Sequence, residues 1–148
     1  MRFAALLLAS MALISCGPKT VSWEEFHTRT VVLPDGKKVV AEVVTEQVDM
    51  MRGMMYRDSL AQDRAMLFTH GSVGKFGYWM YNVKIPLDIL WLNANRTVVE
   101  IVPNARPCPG PASQCPSYGG KVDSLYVLEL AGGVAAKHGI KVGDTLRF

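Results

Sequence analysis

The stretch Leu87-Asp88-Ile89-Leu90-Trp91-Leu92-Asn93-Ala94-Asn95-Arg96-Thr97-Val98-Val99-Glu100-Ile101-Val102 decides the fold. Two runs of apolar, β-branched and aromatic residues flank a short polar turn, which is the pattern of an antiparallel hairpin. Each run carries a carboxylate, and a carboxylate in an apolar strand is costly unless something pairs with it. Whether Asp88 and Glu100 meet depends on register. A two-residue loop at Ala94-Asn95 puts them on opposite faces. A three-residue loop with Arg96 left-handed puts them on one face, diagonally adjacent.

Outward from this hairpin, residues 30–33 and 39–44 are β-branched runs around Pro34-Asp35-Gly36-Lys37, whose Pro and Gly suit a tight turn. Thr45 can cap a helix on which Val48, Met51 and Met55 share a face, and Gly53 limits its length. Residues 65–68, 76–80 and 124–130 read as further strands. Residues 134–138 read as a two-turn helix ended by Gly139, and residues 141–148 as a turn and a last strand. The set predicts an α+β domain, mainly antiparallel β with two short helices, and its short strands also suit a barrel-like closure.

Composition agrees with one folded unit. The chain has 148 residues, 49% of them hydrophobic and 20% charged, enough for a single core. Lys and Arg total 16 against 13 acids, and the longest basic run is Lys37-Lys38, so nucleic acid is excluded as a main partner.

The amino terminus reads as a targeting segment. Arg2 precedes twelve uncharged residues, 3–14, too few to cross a bilayer as a mature helix. Leu13-Ile14-Ser15-Cys16 resembles the bacterial lipobox, and no small-x-small cleavage site follows the apolar run. The expected organisation is a lipoprotein signal peptide at 1–15, a lipidated Cys16 opening a tether at 16–28, and a globular domain at 29–148. Gly17, rather than an aspartate, after Cys16 points to the periplasmic face of the outer membrane in a bacterial envelope. The membrane is then one partner, and an unknown small molecule or envelope protein the other. Lipidation of Cys16 leaves Cys108 and Cys115, which an oxidising compartment would bridge. Six intervening residues with prolines nearby suit a loop staple better than a redox pair.

Several blocks together resemble a known family. They are Arg52-Gly53-Met54-Met55-Tyr56-Arg57, Met66-Leu67-Phe68, the segment from Tyr78-Trp79-Met80-Tyr81-Asn82 through Ile85-Pro86-Leu87-Asp88-Ile89, Val99-Glu100-Ile101, Cys108-Pro109, Tyr126-Val127-Leu128-Glu129 and Gly139-Ile140-Lys141-Val142-Gly143-Asp144. This is similar to the family of domain of unknown function 192, over about residues 38–148. The resemblance implies a small envelope or secreted domain without an established reaction. Val83 stands where that family usually has threonine, and Arg96 where a glycine often closes the turn.

Three carboxylates, Asp88, Glu100 and Glu129, interrupt apolar strands and are the candidate catalytic residues. A same-face pair could split its pKa values for acid and base work in a hydrolase or lyase. The structural alternative has Asp88 bonded to backbone groups and the glutamates facing water or paired with Arg57 or Arg106. Trp79, Tyr81, Trp91 and Tyr126 could line a ligand groove, with Asn82 orienting the ligand. Trp79, Asn82, Asp88 and Tyr126 are therefore the candidate binding residues. Met50, Met51, Met54 and Met55, with Met80 and His70, could hold Cu(I), but the same spacing fills a core. No phosphate-binding glycine loop, nucleophile elbow or zinc helix is present. The sequence thus predicts a lipid-anchored binding module, with no cofactor and no resident metal, ahead of an enzyme or a copper handler.

Overall fold

The computed structural model describes residues 27–148. The expected signal peptide, Cys16 and the tether up to residue 26 lie outside the described residues. Eight strands and two short helices follow in the order β1 (Thr28–Val32), β2 (Lys38–Val44), α1 (Gln47–Arg52), β3 (Arg64–Gly74), β4 (Gly77–Trp79), β5 (Leu87–Leu92), β6 (Val98–Ala105), β7 (Ser117–Gly119), β8 (Ser124–Ala131) and α2 (Val134–Lys137). Six strands form one sheet in the order β1-β2-β3-β8-β5-β6, and β4 pairs with β7 in a separate ribbon.

Every neighbour in the large sheet is antiparallel except β2 and β3. That pair runs parallel because α1 and the loop after it carry the chain back across the sheet, as a parallel connection requires. The sheet stays open rather than closing into a barrel. At one end the C-terminal segment spans the gap between its edges, through the bridges Val32↔Arg147 and Thr97↔Thr145.

The turn between β1 and β2 is built as its sequence demands. Gly36 takes φ 86°, its N–H donates to the Leu33 carbonyl, and the Asp35 carboxylate accepts the Lys37 N–H at 3.0 Å. The residue entering α1 is Glu46, extended and without a side-chain cap bond, rather than Thr45.

The sheet buries both faces, which is why β5 is buried at all six positions. On one face Val31, Val39, Leu67, Leu90, Leu92, Leu128 and Leu130 pack beneath α2 and the C-terminal segment. On the other, Val44, Met66, Phe68, Leu87, Ile89, Trp91 and Val127 pack beneath Met54, Leu60, Met80 and Val83. The ribbon is pinned onto this second face through Trp91, whose indole N–H donates to the Phe76 carbonyl at 2.7 Å. Gly119 lies so close to that indole that a Cβ there would stand 2.1 Å from the ring. Cys108 and Cys115 form a disulfide with S–S 2.09 Å. It closes the loop just before β7, and the Cys108 N–H donates to the Met80 carbonyl.

Candidate functional site

The β5–β6 hairpin combines a feature of one expected register with the outcome of the other. Arg96 is left-handed, φ 63°, as the three-residue loop requires. However, Leu92 faces Val98 while Trp91 faces Glu100, so Val99 is an extra residue in β6. This bulge flips the side chains of β6 from Glu100 to Val102. Glu100 therefore shares a face with Trp91, and Asp88 lies on the opposite face. The Glu100 carboxylate accepts the Lys121 N–H at 3.2 Å.

Asp88 is completely buried and fully engaged by the backbone. One oxygen accepts the Asn104 N–H at 2.8 Å, and the other accepts the Ala135 N–H at 2.7 Å. The first bond holds a second irregularity of β6, where Asn104 has φ 54°. The second satisfies a first-turn donor of α2, a helix whose entering residue, Gly133, has no side chain to do so.

Glu129 is equally deep and very differently served. It is 4% exposed, and its Oε2 has no hydrogen-bond partner among the described residues. Glu42, Met66, Glu129 and Ile89 stand in one row across β2, β3, β8 and β5. Directly opposed residues point to the same face, so both glutamates enter the core that holds Met66 and Ile89. Arg57, on the loop after α1, meets Glu42 with two bonds of 2.5 and 2.8 Å. Its charge also acts on Glu129, but burial outweighs that attraction and pushes the Glu129 carboxyl up to about 8. At neutral pH this carboxyl holds its proton.

Tyr78, from β4, covers this cluster. Its ring meets Phe68 and Trp91 edge to face, with centroids 5.1 and 6.0 Å apart, and its hydroxyl lies 3.2 Å from His70 Nε2. Burial first, and the charge of Glu129 second, raise the Tyr78 phenol above its ordinary value. Burial lowers His70, whose ring stacks on Phe76.

The rim beside the cluster is strained. Tyr56 and Asn82 both have positive φ, 65° and 56°. They hold one another: the Tyr56 N–H donates to the Asn82 carbonyl at 2.8 Å, and Asn82 Nδ2 donates to the Tyr56 hydroxyl at 2.8 Å. Left-handed backbone at a non-glycine residue costs on the order of 1 kcal/mol. Tyr56 is nevertheless 59% exposed, and Trp79 beyond Asn82 is 41% exposed and packs on Tyr81 with centroids 5.3 Å apart.

The candidate binding residues are thus divided. Trp79, Tyr81 and Asn82 lie together on the side of the ribbon. Trp91 is wholly buried beneath it. Asp88 and Tyr126 belong to the other face, where Tyr126 meets Phe148 edge to face. The methionines split likewise: Met54 and Met80 are buried in the core, and Met51 is exposed. Among the described residues no group of three or more His, Cys, Asp or Glu is placed to hold a metal ion. Glu42 is the site residue that sequence reasoning missed, although the same signal, a charge inside the apolar run Val39-Val40-Ala41-Glu42-Val43-Val44, was there to find it.

The family model DUF192, described as an uncharacterised group, matches residues 30–148. The solved structures similar to this chain include a proposed transcription regulator from Sinorhizobium meliloti 1021, at 28% identity and TM-score 0.73. That match covers 82% of this chain and 94% of the other. They also include a protein of unknown function from Novosphingobium aromaticivorans DSM 12444, at 30% identity and TM-score 0.71, covering 83% and 85%. No curated protein matches the chain.

Proposed function

The chain belongs to the DUF192 family, and from that premise we propose that it is a lipid-anchored cell-envelope domain that binds a small polar ligand. The anchor is the diacylglycerol expected on Cys16, and the destination is the periplasmic face of the outer membrane. The regulator role named for the Sinorhizobium protein is not carried over, because this chain has no basic run longer than Lys37-Lys38. The observation that supports ligand binding is the Glu129 carboxyl, buried with one oxygen unserved. A buried polar group without a partner costs roughly 1–3 kcal/mol, and such a cost is retained where a ligand or a proton transfer uses it. The blocks that carry the family resemblance supply Arg57, Tyr78, Asn82 and Glu129 to this one region. The ligand enters beside Tyr56 and Asn82 and brings a hydrogen-bonding group to Glu129.

A thermal-shift screen of amino sugars, polyols and polyamines at pH 7 tests this reading. A ligand present at about 100 times its Kd stabilises by about 2.7 kcal/mol, a shift of several degrees, and Glu129→Gln should abolish it. Shifts that persist unchanged in Glu129→Gln would place binding elsewhere.

One observation favours an enzyme as the second reading. A carboxyl pushed up to about 8 is protonated at neutral pH, the state of a general acid in a hydrolase or lyase. Asp88 and Glu100 are engaged by backbone N–H groups, so the acid on this reading is Glu129. Activity would then fall as pH rises through about 8.

A further inference from the structure

The helix α1 is an outlier in a domain that buries both faces of its sheet, since none of its six residues is buried. Val48 and Met51 are 73% and 65% exposed. Residues three apart lie on the same side of a helix, so the two side chains form one apolar face, with the exposed Arg52 beside it. The position of this face relative to the incoming chain is fixed by β1. Thr28 pairs with Glu42, and the His27 carbonyl accepts the Val43 N–H at 2.8 Å. Gln47 follows Val43 by four residues, at most about 14 Å of extended chain. The segment leading back to Cys16 therefore reaches the domain next to α1. Eleven peptide steps from Cys16 to His27 span at most about 38 Å, a reach that keeps this end of the domain near any anchored lipid.

We propose that the Val48–Met51 face of α1 docks on the lipid bilayer that holds the acyl chains of Cys16. This rests on the anchoring reading above and adds to it an orientation. Val48 and Met51 enter the boundary between headgroups and acyl chains, as apolar side chains of an interfacial helix do, and Arg52 lies at the level of the lipid phosphates. The anchor supplies the persistent attachment, and the helix face decides which way the domain turns. Tyr56, four residues beyond α1, then opens the candidate site towards the headgroup layer.

The test uses the full lipidated chain, purified and reconstituted into phosphatidylethanolamine–phosphatidylglycerol vesicles containing brominated lipid. Single cysteines are introduced at the exposed positions Val48→Cys, Met51→Cys and, as reference, Val142→Cys in the turn near the C-terminus, and are labelled with an environment-sensitive fluorophore. Bromine should quench labels at 48 and 51 at least threefold more than the label at 142. Equal quenching at the three positions, with the chain mass still including the diacylglyceryl group, overturns the docking and leaves the anchor standing. A mature chain that lacks the lipid and does not sediment with vesicles overturns both. Labels at 48 and 51 shielded in native membranes yet unquenched in the vesicles identify a protein as the occupant and overturn the lipid surface.

Discussion

Asp88 and Glu129 lie on adjacent strands of one sheet, one residue apart in register, and point to opposite faces. Both are buried acids, yet their surroundings use them in contrary ways. On the α2 face, each oxygen of Asp88 receives a backbone N–H, so the carboxylate joins β6 and α2 to β5. On the ribbon face, Glu129 keeps an oxygen without a hydrogen-bond partner among the described residues, while the neighbouring Arg57 is bonded to Glu42. A buried charge is tolerated when hydrogen bonds replace water, and it neutralises itself when they do not. The first acid is thus a structural tie and the second a held proton. Residue type and burial alone do not separate them; the partners do.

The largest expected effect tests the first half of that contrast. Asp88→Ala leaves the buried Ala135 N–H and the partly buried Asn104 N–H without their acceptor and removes two charge-assisted bonds, each of about 1.5–3 kcal/mol. The expected loss is about 3–5 kcal/mol, read as a fall in the urea midpoint at unchanged slope. Asp88→Asn, whose amide oxygen can serve one donor well, should fall between. A loss below about 1 kcal/mol for the alanine variant would break the contrast.

The second prediction concerns pH. The folded-state value of Glu129, about 8, lies above its ordinary 4.5, so the folded chain keeps a proton that the unfolded chain has released. Its contribution to stability is complete below about pH 4.5 and is lost as pH rises to about 8, with a slope of about 1.4 kcal/mol per pH unit. His70, lowered by burial, pulls the opposite way below its ordinary 6.5, but it is common to both proteins. Glu129→Gln should therefore flatten the profile, gaining on the parent by roughly 2 kcal/mol between pH 6 and 8. Denaturation profiles that run parallel from pH 5 to 9 would show that Glu129 is ionised throughout and would remove the contrast with Asp88.

These two acids also mark how far the sequence could be read. The last strand expected over 141–148 does not form, since Thr145 and Arg147 make only single bridges, and β7 lies in a segment whose pattern reads as irregular. The hairpin at Pro34-Asp35-Gly36, strands β1 to β6 and β8 and the two helices follow from local patterning, because each depends on residues close in the chain. The bulge at Val99 does not. It arises from fitting β6 to β5 while Glu100 reaches Lys121, a contact twenty-one residues away. Asp88 was legible as a problem, a charge in an apolar strand, and its solution was not, since its donors come from Asn104 and Ala135. Arg57 was foreseen as a partner for a glutamate; it forms two bonds to Glu42, which sequence reasoning had not singled out, and its charge also acts on Glu129. The left-handed turn at Tyr56 left no local signal, because tertiary contacts impose it on a residue type that otherwise avoids it, whereas Asn82 is of a type that tolerates positive φ.

The smallest expected effect is the one that separates site from scaffold. Asn82 holds φ 56° at a cost on the order of 1 kcal/mol, which glycine avoids. Asn82→Gly relieves that cost, keeps the carbonyl that accepts the Tyr56 N–H, and deletes only the bond from Nδ2 to the Tyr56 hydroxyl. An exposed hydrogen bond of this kind contributes about 0.5–1.5 kcal/mol, so the two changes nearly cancel. Stability should stay within about 1 kcal/mol of the parent. If the rim is mere scaffold, ligand-induced shifts in Tm will be preserved as well. If the strain serves a site, the shift will vanish at near-native stability, and Asn82→Asp, which keeps the backbone conformation but replaces the donor amide, will lose it too. Loss of binding in both variants with an unchanged melting temperature would extend the contrast between the two faces from buried acids to the surface above them. Preserved binding in both would confine the functional face to Glu129 and Arg57.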